Sequence, residues 1–338
     1  MSPRIFLCVT IDTECDGSRR TLRGMGTPAF RSVVEGVCRR LQPMLNNYGA
    51  CGTYFLDWLV LNDNQSMDAI LGMTGRFEIG AHLHPEHVTP PGSGAPMGTG
   101  RALFGCSDIS DDEEMEKLSV LTETIAERTG TRPTSFRAGR FGADSATLTA
   151  LAGLGYKVDS SVTPGISWVC KGGPDFRNAP RQPYWPDDHD ITLPGNGAVL
   201  EIPVTIGARK LPFLPDHWFL YDWLRPTNTS ASRMIRLIEK TIAISSGERP
   251  VVLTMMFHSQ ELIGGTSPYA PTDRAALRLL SRIERVVAHC AASGIKFIGV
   301  SEAYGALSGA DCQRDLPRHP TTARQDGRTP DEVTERVP

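Results

Sequence analysis

The sequence has no long apolar run, no paired cysteines and no surplus of charge of either sign, and each absence removes a class of function. Its longest apolar stretches, such as Val251 to Phe257, fall far short of the roughly 20 residues needed to cross a bilayer, so no membrane insertion is expected. The eight cysteines (Cys8, Cys15, Cys38, Cys51, Cys106, Cys170, Cys290, Cys312) stand singly with no CxxC pair, which speaks against a disulfide framework and for reduced thiols. Lys and Arg total 35 against 38 Asp and Glu, a net charge of −3, so nothing draws the chain towards nucleic acid or an anionic surface. The first strand-like run begins at Arg4, leaving no room ahead of it for a charged region, an apolar stretch and a cleavage site, so a cytoplasmic protein is expected. What remains is a chain of 338 residues, 40% apolar and 22% charged, able to bury a full core.

Strand and helix signals alternate along it. Ile5 to Ile11 is a nearly continuous apolar run, as in a strand covered on both faces. Val33, Val34, Val37, Leu41, Met44 and Leu45 follow at helical spacing, with Gly49 placed as a cap. Strands are expected at Gly52 to Leu56, Arg76 to Ala81, Thr134 to Arg137, Tyr156 to Val158, Val199 to Ile206, Val251 to Phe257 and Lys296 to Val300. Helices are expected near Gln65 to Met73, and at Asp111 to Arg128, Asp144 to Leu154, Ala231 to Ser246 and Thr272 to Ser293, the last with a stripe of Leu277, Leu280, Ile283, Val287 and Cys290. Pro85 to Gly105 reads as a lid or binding loop, and about 164–194 as an irregular insertion whose Trp168, Tyr184 and Trp185 either line a groove or pack as a surface loop. Repeated strand–helix units over 4–307 predict a single domain, a distorted (β/α) barrel, while 309–338 has the composition of a disordered tail.

Four polar clusters end four of these apolar runs: Thr10 to Glu14, Glu78 to Pro85, Phe136 to Gly139 and Met256 to Ser259. The carboxyl ends of strands are where ligands bind in such folds. Asp12 and Glu14, and likewise His82 and His84, are two apart, so on a strand each pair faces one side. Glu14, His82 and His84 as three ligands would leave an open position, the pattern of a catalytic rather than structural zinc site; His87 competes for the third place. Arg137 beside Asp12 would keep that carboxylate ionised, and His258 at a strand end suits a general acid. Taken singly, each of these residues fits a structural ion pair, a cap or packing; together they predict a metal hydrolase. Cys15 is a weak alternative nucleophile, and Met255 and Met256 read as core.

The order of these motifs resembles the polysaccharide deacetylase family, the NodB-homology or family-four carbohydrate esterases, over about 4–307. The resemblance implies a distorted (β/α) barrel of about seven strands, and hydrolysis of an N-acetyl group on an amino sugar, free, nucleotide-linked or within a glycan. It makes Asp12 the base that activates the attacking water, Glu14 a metal ligand, Arg137 the brace of the base, Asp159 (in Gly155 to Ser161) the residue that steadies the arginine, and His258 the acid. The family usually has two ligand histidines four apart. Here position 86 is glutamate, and His84, followed by Pro85, is favoured as the third ligand. The cofactor implied is one divalent ion, Zn2+ first, with Co2+, Mn2+ or Ni2+ as alternatives. Two other readings stay open: hydrolysis of another amide or a formyl group, and a glycan-binding module with a degraded site.

Overall fold

The computed structural model describes residues 4–17, 28–88, 109–210, 219–245 and 249–308. Most of the Pro85 to Gly105 loop and the whole 309–338 tail therefore lie outside the described residues.

β1 (Ile5–Thr13) leads into α1, which is wound wide over Ser32–Leu41 and continues over Gln42–Asn47. β2 (Gly52–Asp57), α2 (Trp58–Leu61), α3 (Asn64–Leu71), β3 (Phe77–Leu83) and α4 (Asp111–Thr129) follow. Next come β4 (Ser135–Ala138), α5 (Ser145–Leu154), β5 (Val158–Asp159) and β6 (Leu200–Glu201). An antiparallel pair, β7 (Ile206–Lys210) and β8 (Phe219–Trp223), precedes α6 (Ala231–Ile244), β9 (Val251–His258), α7 (Asp273–Ala292), β10 (Lys296–Phe297) and α8 (Val300–Leu307).

Apart from β7 and β8, all strands are parallel and form one eight-stranded sheet. β1 is its axis. One edge of β1 carries β9 along Ile5 to Asp12; the other carries β10 at Phe6 and Leu7, then β2 from Val9 to Thr13. Since β10 and β2 share an edge, eight strands occupy seven places, and β3, β4, β5 and β6 continue the curve. From its second residue on, β1 is buried throughout, as its unbroken apolar run requires.

No ladder joins β6 to β9 among the described residues. Single bonds bridge the gap instead: Thr205 N–H donates to the Thr254 carbonyl (3.1 Å), and the Gln182 carboxamide accepts from Val252 N–H (3.1 Å) and donates to its carbonyl (3.3 Å). A side-chain amide thus satisfies one residue of the free β9 edge as a strand would. The result is a barrel distorted at one seam.

Several local expectations shift. The anticipated strand Val199 to Ile206 breaks after Glu201, where Pro203 removes a ladder donor. Lys296 to Val300 ends as a strand at Phe297, because Val300 already opens α8. On α7 the buried stripe is Ala276, Leu279, Ile283, Val286, Val287 and Cys290, while Leu277 is 55% exposed. No helix among the described residues is long and apolar enough to cross a membrane.

Candidate active site

Parallel register brings the clusters level with one another. Asp12 on β1 is the register partner of His258 on β9, and His82 on β3 is the partner of both Asp57 on β2 and Arg137 on β4. Asp12, Glu14, His82, His84 and Arg137 are all buried, and the His258 side chain is 23% exposed, so solvent reaches this cluster, here called the pit, at His258.

The Glu14 carboxylate is the meeting point. Its Oε1 lies 3.3 Å from His82 Nε2 and 3.3 Å from His84 Nε2. Among the described residues, Glu14, His82 and His84 form a group whose ligand atoms all lie within 4.8 Å of one another. Ligands about 2.0–2.1 Å from a tetrahedral ion are about 3.3 Å apart, which matches the two distances from Glu14 Oε1 to the imidazole nitrogens. His82 Nδ1 lies 2.8 Å from the Arg137 carbonyl, an acceptor, so Nδ1 carries a proton, and Nε2 is the nitrogen that faces Glu14 and would ligate an ion in the neutral ring.

Charge in this corner is closely balanced. Burial alone would raise the Glu14 carboxyl, but hydrogen bonds from His82 and His84 and the charge of His258 carry it well below the usual carboxylate range. Burial would lower His84, but Glu14 on one nitrogen and Glu86 on the other push it up to about 10. Glu86 Oε1 is 3.7 Å from His84 Nδ1, beyond hydrogen-bond range, and is anchored by Arg140. Gly139 makes room for this ring: a Cβ there would sit 2.7 Å from His84 Nδ1 and 2.7 Å from the Leu83 carbonyl. His87, the competing ligand, turns away, its Nδ1 held by both oxygens of Asp57 at 2.8 and 3.0 Å.

On the other side of the pit, Arg137 is fully buried and donates Nη1 to Asp12 Oδ1 at 2.8 Å. Its guanidinium lies 4.6 Å over the Phe55 ring, which packs there only because position 80 is glycine. Burial would raise the Asp12 carboxyl, yet the charges of Arg137, His82 and His258 hold it below its ordinary value. The bonds that steady Arg137 come from Ser160: Nε donates to its carbonyl (2.8 Å) and Nη2 to its hydroxyl (2.9 Å). Asp159, expected to steady Arg137, instead has Oδ1 accepting from Ser161 Oγ at 2.6 Å, and its Oδ2, like Glu201 Oε2, has no other donor. Burial raises both carboxyls, and the charge of Asp159 carries Glu201 far above the ordinary glutamate range.

His258 is oriented from behind. Its Nδ1 lies 3.0 Å from Glu261 Oε1, and Glu261 is in turn held by Arg225 Nη2 (3.1 Å) and the Thr227 hydroxyl. The ring's Nε2 therefore points into the pit, 3.8 Å from Asp12 Oδ2 and 3.9 Å from Glu14 Oε1. Burial lowers the imidazole, but the Glu261 hydrogen bond and the Glu14 charge outweigh it and raise the group.

Ser160, Gln260, Glu261, Arg225 and Glu201 were not anticipated as site residues. Gln260 and Glu261 lie two and three residues after His258, and only proximity along the chain could have flagged them. The three candidate groove aromatics separate: Trp168 stacks on Phe141 (6.0 Å) near Trp223 (6.5 Å), Tyr184 is buried with its hydroxyl on the Ile191 carbonyl, and Trp185 lines a cavity of about 240 Å³ beside Leu200, Pro250 and Leu307. Leu200 and Pro250 lie at the amino ends of β6 and β9, so this cavity is at the far end of the barrel from His258.

No family model matches the chain, and comparison with curated proteins gives no match. Solved structures do match. A protein assigned as a polysaccharide deacetylase from Mycobacterium smegmatis is 17% identical with a TM-score of 0.54, over 96% of each chain. One similarly assigned from Pseudomonas aeruginosa PAO1 is 16% identical with a TM-score of 0.52, over 92% of this chain and 93% of that one. Puue allantoinase is 15% identical with a TM-score of 0.56, over 92% of each. At such identities the likeness is one of architecture, and the chain has the fold of the polysaccharide deacetylases, a distorted (β/α) barrel with its candidate site at the carboxyl ends of the strands.

Proposed function

We propose that this protein is a divalent-metal-dependent hydrolase that removes an N-acetyl group from an amino sugar. The observation that carries the reading is the Glu14, His82 and His84 triangle placed against both an arginine-held carboxylate and a carboxylate-held histidine. Glu14, His82 and His84 would hold the ion, most suitably Zn2+, with Co2+, Mn2+ or Ni2+ as alternatives. Such an ion, when bound, would polarise the acyl carbonyl and acidify a water.

The remaining chemistry belongs to the chain. Arg137 occupies Asp12 Oδ1 and leaves Oδ2 facing the pit, ionised, to take a proton from the attacking water. The water oxygen bonds to the acyl carbon, and the carbon–nitrogen bond breaks. His258, protonated and aimed by Glu261, gives its Nε2 proton to the departing nitrogen, so acetate and a free amine leave. The free thiols Cys8, Cys38, Cys51, Cys170 and Cys290, three of them buried, suit a cytoplasmic protein acting on a soluble intermediate. We also read 4–307 as one catalytic domain.

Zinc-loaded protein should release acetate from N-acetylated amino sugars, and Asp12→Asn should lower kcat roughly 10²- to 10⁴-fold with the ion still bound. Undiminished acetate release by Asp12→Asn would remove Asp12 from its role. The fold also carries an allantoinase, so hydrolysis of a different amide is the second reading, and the identity of the acid released separates the two.

A further inference from the structure

We propose that Gln260 makes Glu14 a one-oxygen ligand and thereby sets the coordination number of the ion this site takes. The inference rests on the metal-dependent reading above and deepens it. A carboxylate chelates an ion with both oxygens less readily when one of them already accepts a short hydrogen bond that fixes its direction. Glu14 Oε1 faces His82 and His84, but Oε2 accepts the Gln260 Nε2–H at 2.6 Å, a short, charge-assisted bond. The assignment of the amide is fixed by chemistry, since an ionised carboxylate can only accept and the carboxamide nitrogen must face it.

The backbone of Glu14 is clamped by the same turn. Ser259 Oγ accepts the Glu14 N–H at 3.0 Å and donates to the Glu14 carbonyl at 3.0 Å. Neither the main chain nor the carboxylate of Glu14 can then rotate to bring Oε2 towards the imidazoles. Gln260 itself is buried and its carbonyl is tied by Thr266 Oγ1 at 2.6 Å. The chain thus presents three donor atoms, two imidazole nitrogens and one carboxylate oxygen, to an ion of low coordination number. Ions that seek six or more oxygens gain least from such a set. Gln260 does not touch the reacting atoms, so it is a positioning residue.

The test uses cobalt as a visible reporter, because four- and five-coordinate Co2+ absorbs far more strongly than six-coordinate Co2+. The full chain, stripped and reloaded with Co2+, is compared with Gln260→Met, which keeps the shape and loses the donor, and with Gln260→Glu, which when ionised cannot donate. Circular dichroism of the metal-free proteins establishes that each is folded. The expected result is a strong visible band in the unaltered protein that weakens in both variants, with Zn2+ affinity against a chelator falling about 10- to 100-fold and the Zn2+ to Mn2+ preference narrowing. Variants with the band and the affinities of the unaltered protein would overturn the proposal while leaving the metal site standing. An unaltered, folded protein that takes up no Co2+ would instead overturn the metal reading, and this inference with it.

Discussion

Two glutamates, the buried Glu14 at the carboxyl end of β1 and the half-buried Glu78 near the amino end of β3, live in opposite chemistry. Glu78 is saturated with neutral donors: Ser301 N–H (3.0 Å), Ser301 Oγ (2.7 Å), Thr53 Oγ1 (3.4 Å) and the Ser135 hydroxyl. Burial still pushes its carboxyl up, because none of those donors is a cation. It pins the first turn of α8 to the sheet, and no atom of it is left to bind anything else. Glu14 is held by one amide on Oε2, while Oε1 faces two imidazole nitrogens that are themselves natural ligands. A structural carboxylate is one whose oxygens are spent on neutral donors; a ligand carboxylate keeps one oxygen facing other ligands.

The comparison can be broken by substitution at each end. The largest effect should come from His82→Ala, which removes one of three donors: Zn2+ content measured by mass spectrometry should fall below a tenth of the stoichiometric value, and full retention would dissolve the triangle. Glu261→Gln should come next, lowering kcat by about 10- to 100-fold with little change in KM, because it frees the His258 ring without touching the ion ligands; equal turnover would make the Glu261 contact incidental. Glu78→Gln should act on stability alone, costing roughly 1–3 kcal/mol in denaturant unfolding with metal content unchanged, and a loss of metal would erase the distinction drawn above.

The smallest effect concerns pH. Because the Glu201 carboxyl is raised in the folded chain, this group binds more protons folded than unfolded once pH passes about 4.3, where the unfolded group ionises. Stability from it therefore declines as pH rises from that value until the folded group ionises. Glu201→Gln removes the titration, so the difference in unfolding free energy between variant and parent should grow in the variant's favour between about pH 5 and about pH 8. A difference that stays constant across that range would place the proton elsewhere.

Much of this was legible in the chain. Strand ends could be located because apolar runs stop abruptly at Asp12, His82, Arg137 and His258, and period-two spacing put Asp12 with Glu14 and His82 with His84. What spacing could not decide was direction. His84 was favoured over His87 only by the Pro85 that follows it, whereas in the structure Asp57 holds His87 from the end of another strand. Ser160 and Glu201 stand at the ends of strands that could be located but are only two residues long, so their partners are set by register, which spacing does not give. Leu277 was placed on the buried stripe of α7 because its spacing to Leu280 and Ile283 fits a helix face, but the face that packs is centred one residue earlier, on Ala276, Leu279 and Ile283.

The ladder between β1 and β9 has a consequence for how the protein comes into being. All three candidate ion ligands lie within the first 84 residues, whereas the turn that clamps Glu14 and carries the acid arrives about 245 positions later. A chain emerging from synthesis could gather its ligands early, but it gains the proton donor, the Glu14 clamp and the closing edge of the sheet in one late step. On the proposed reading, hydrolytic competence would then belong only to the finished molecule, and a partly made chain holding an ion would be chemically silent.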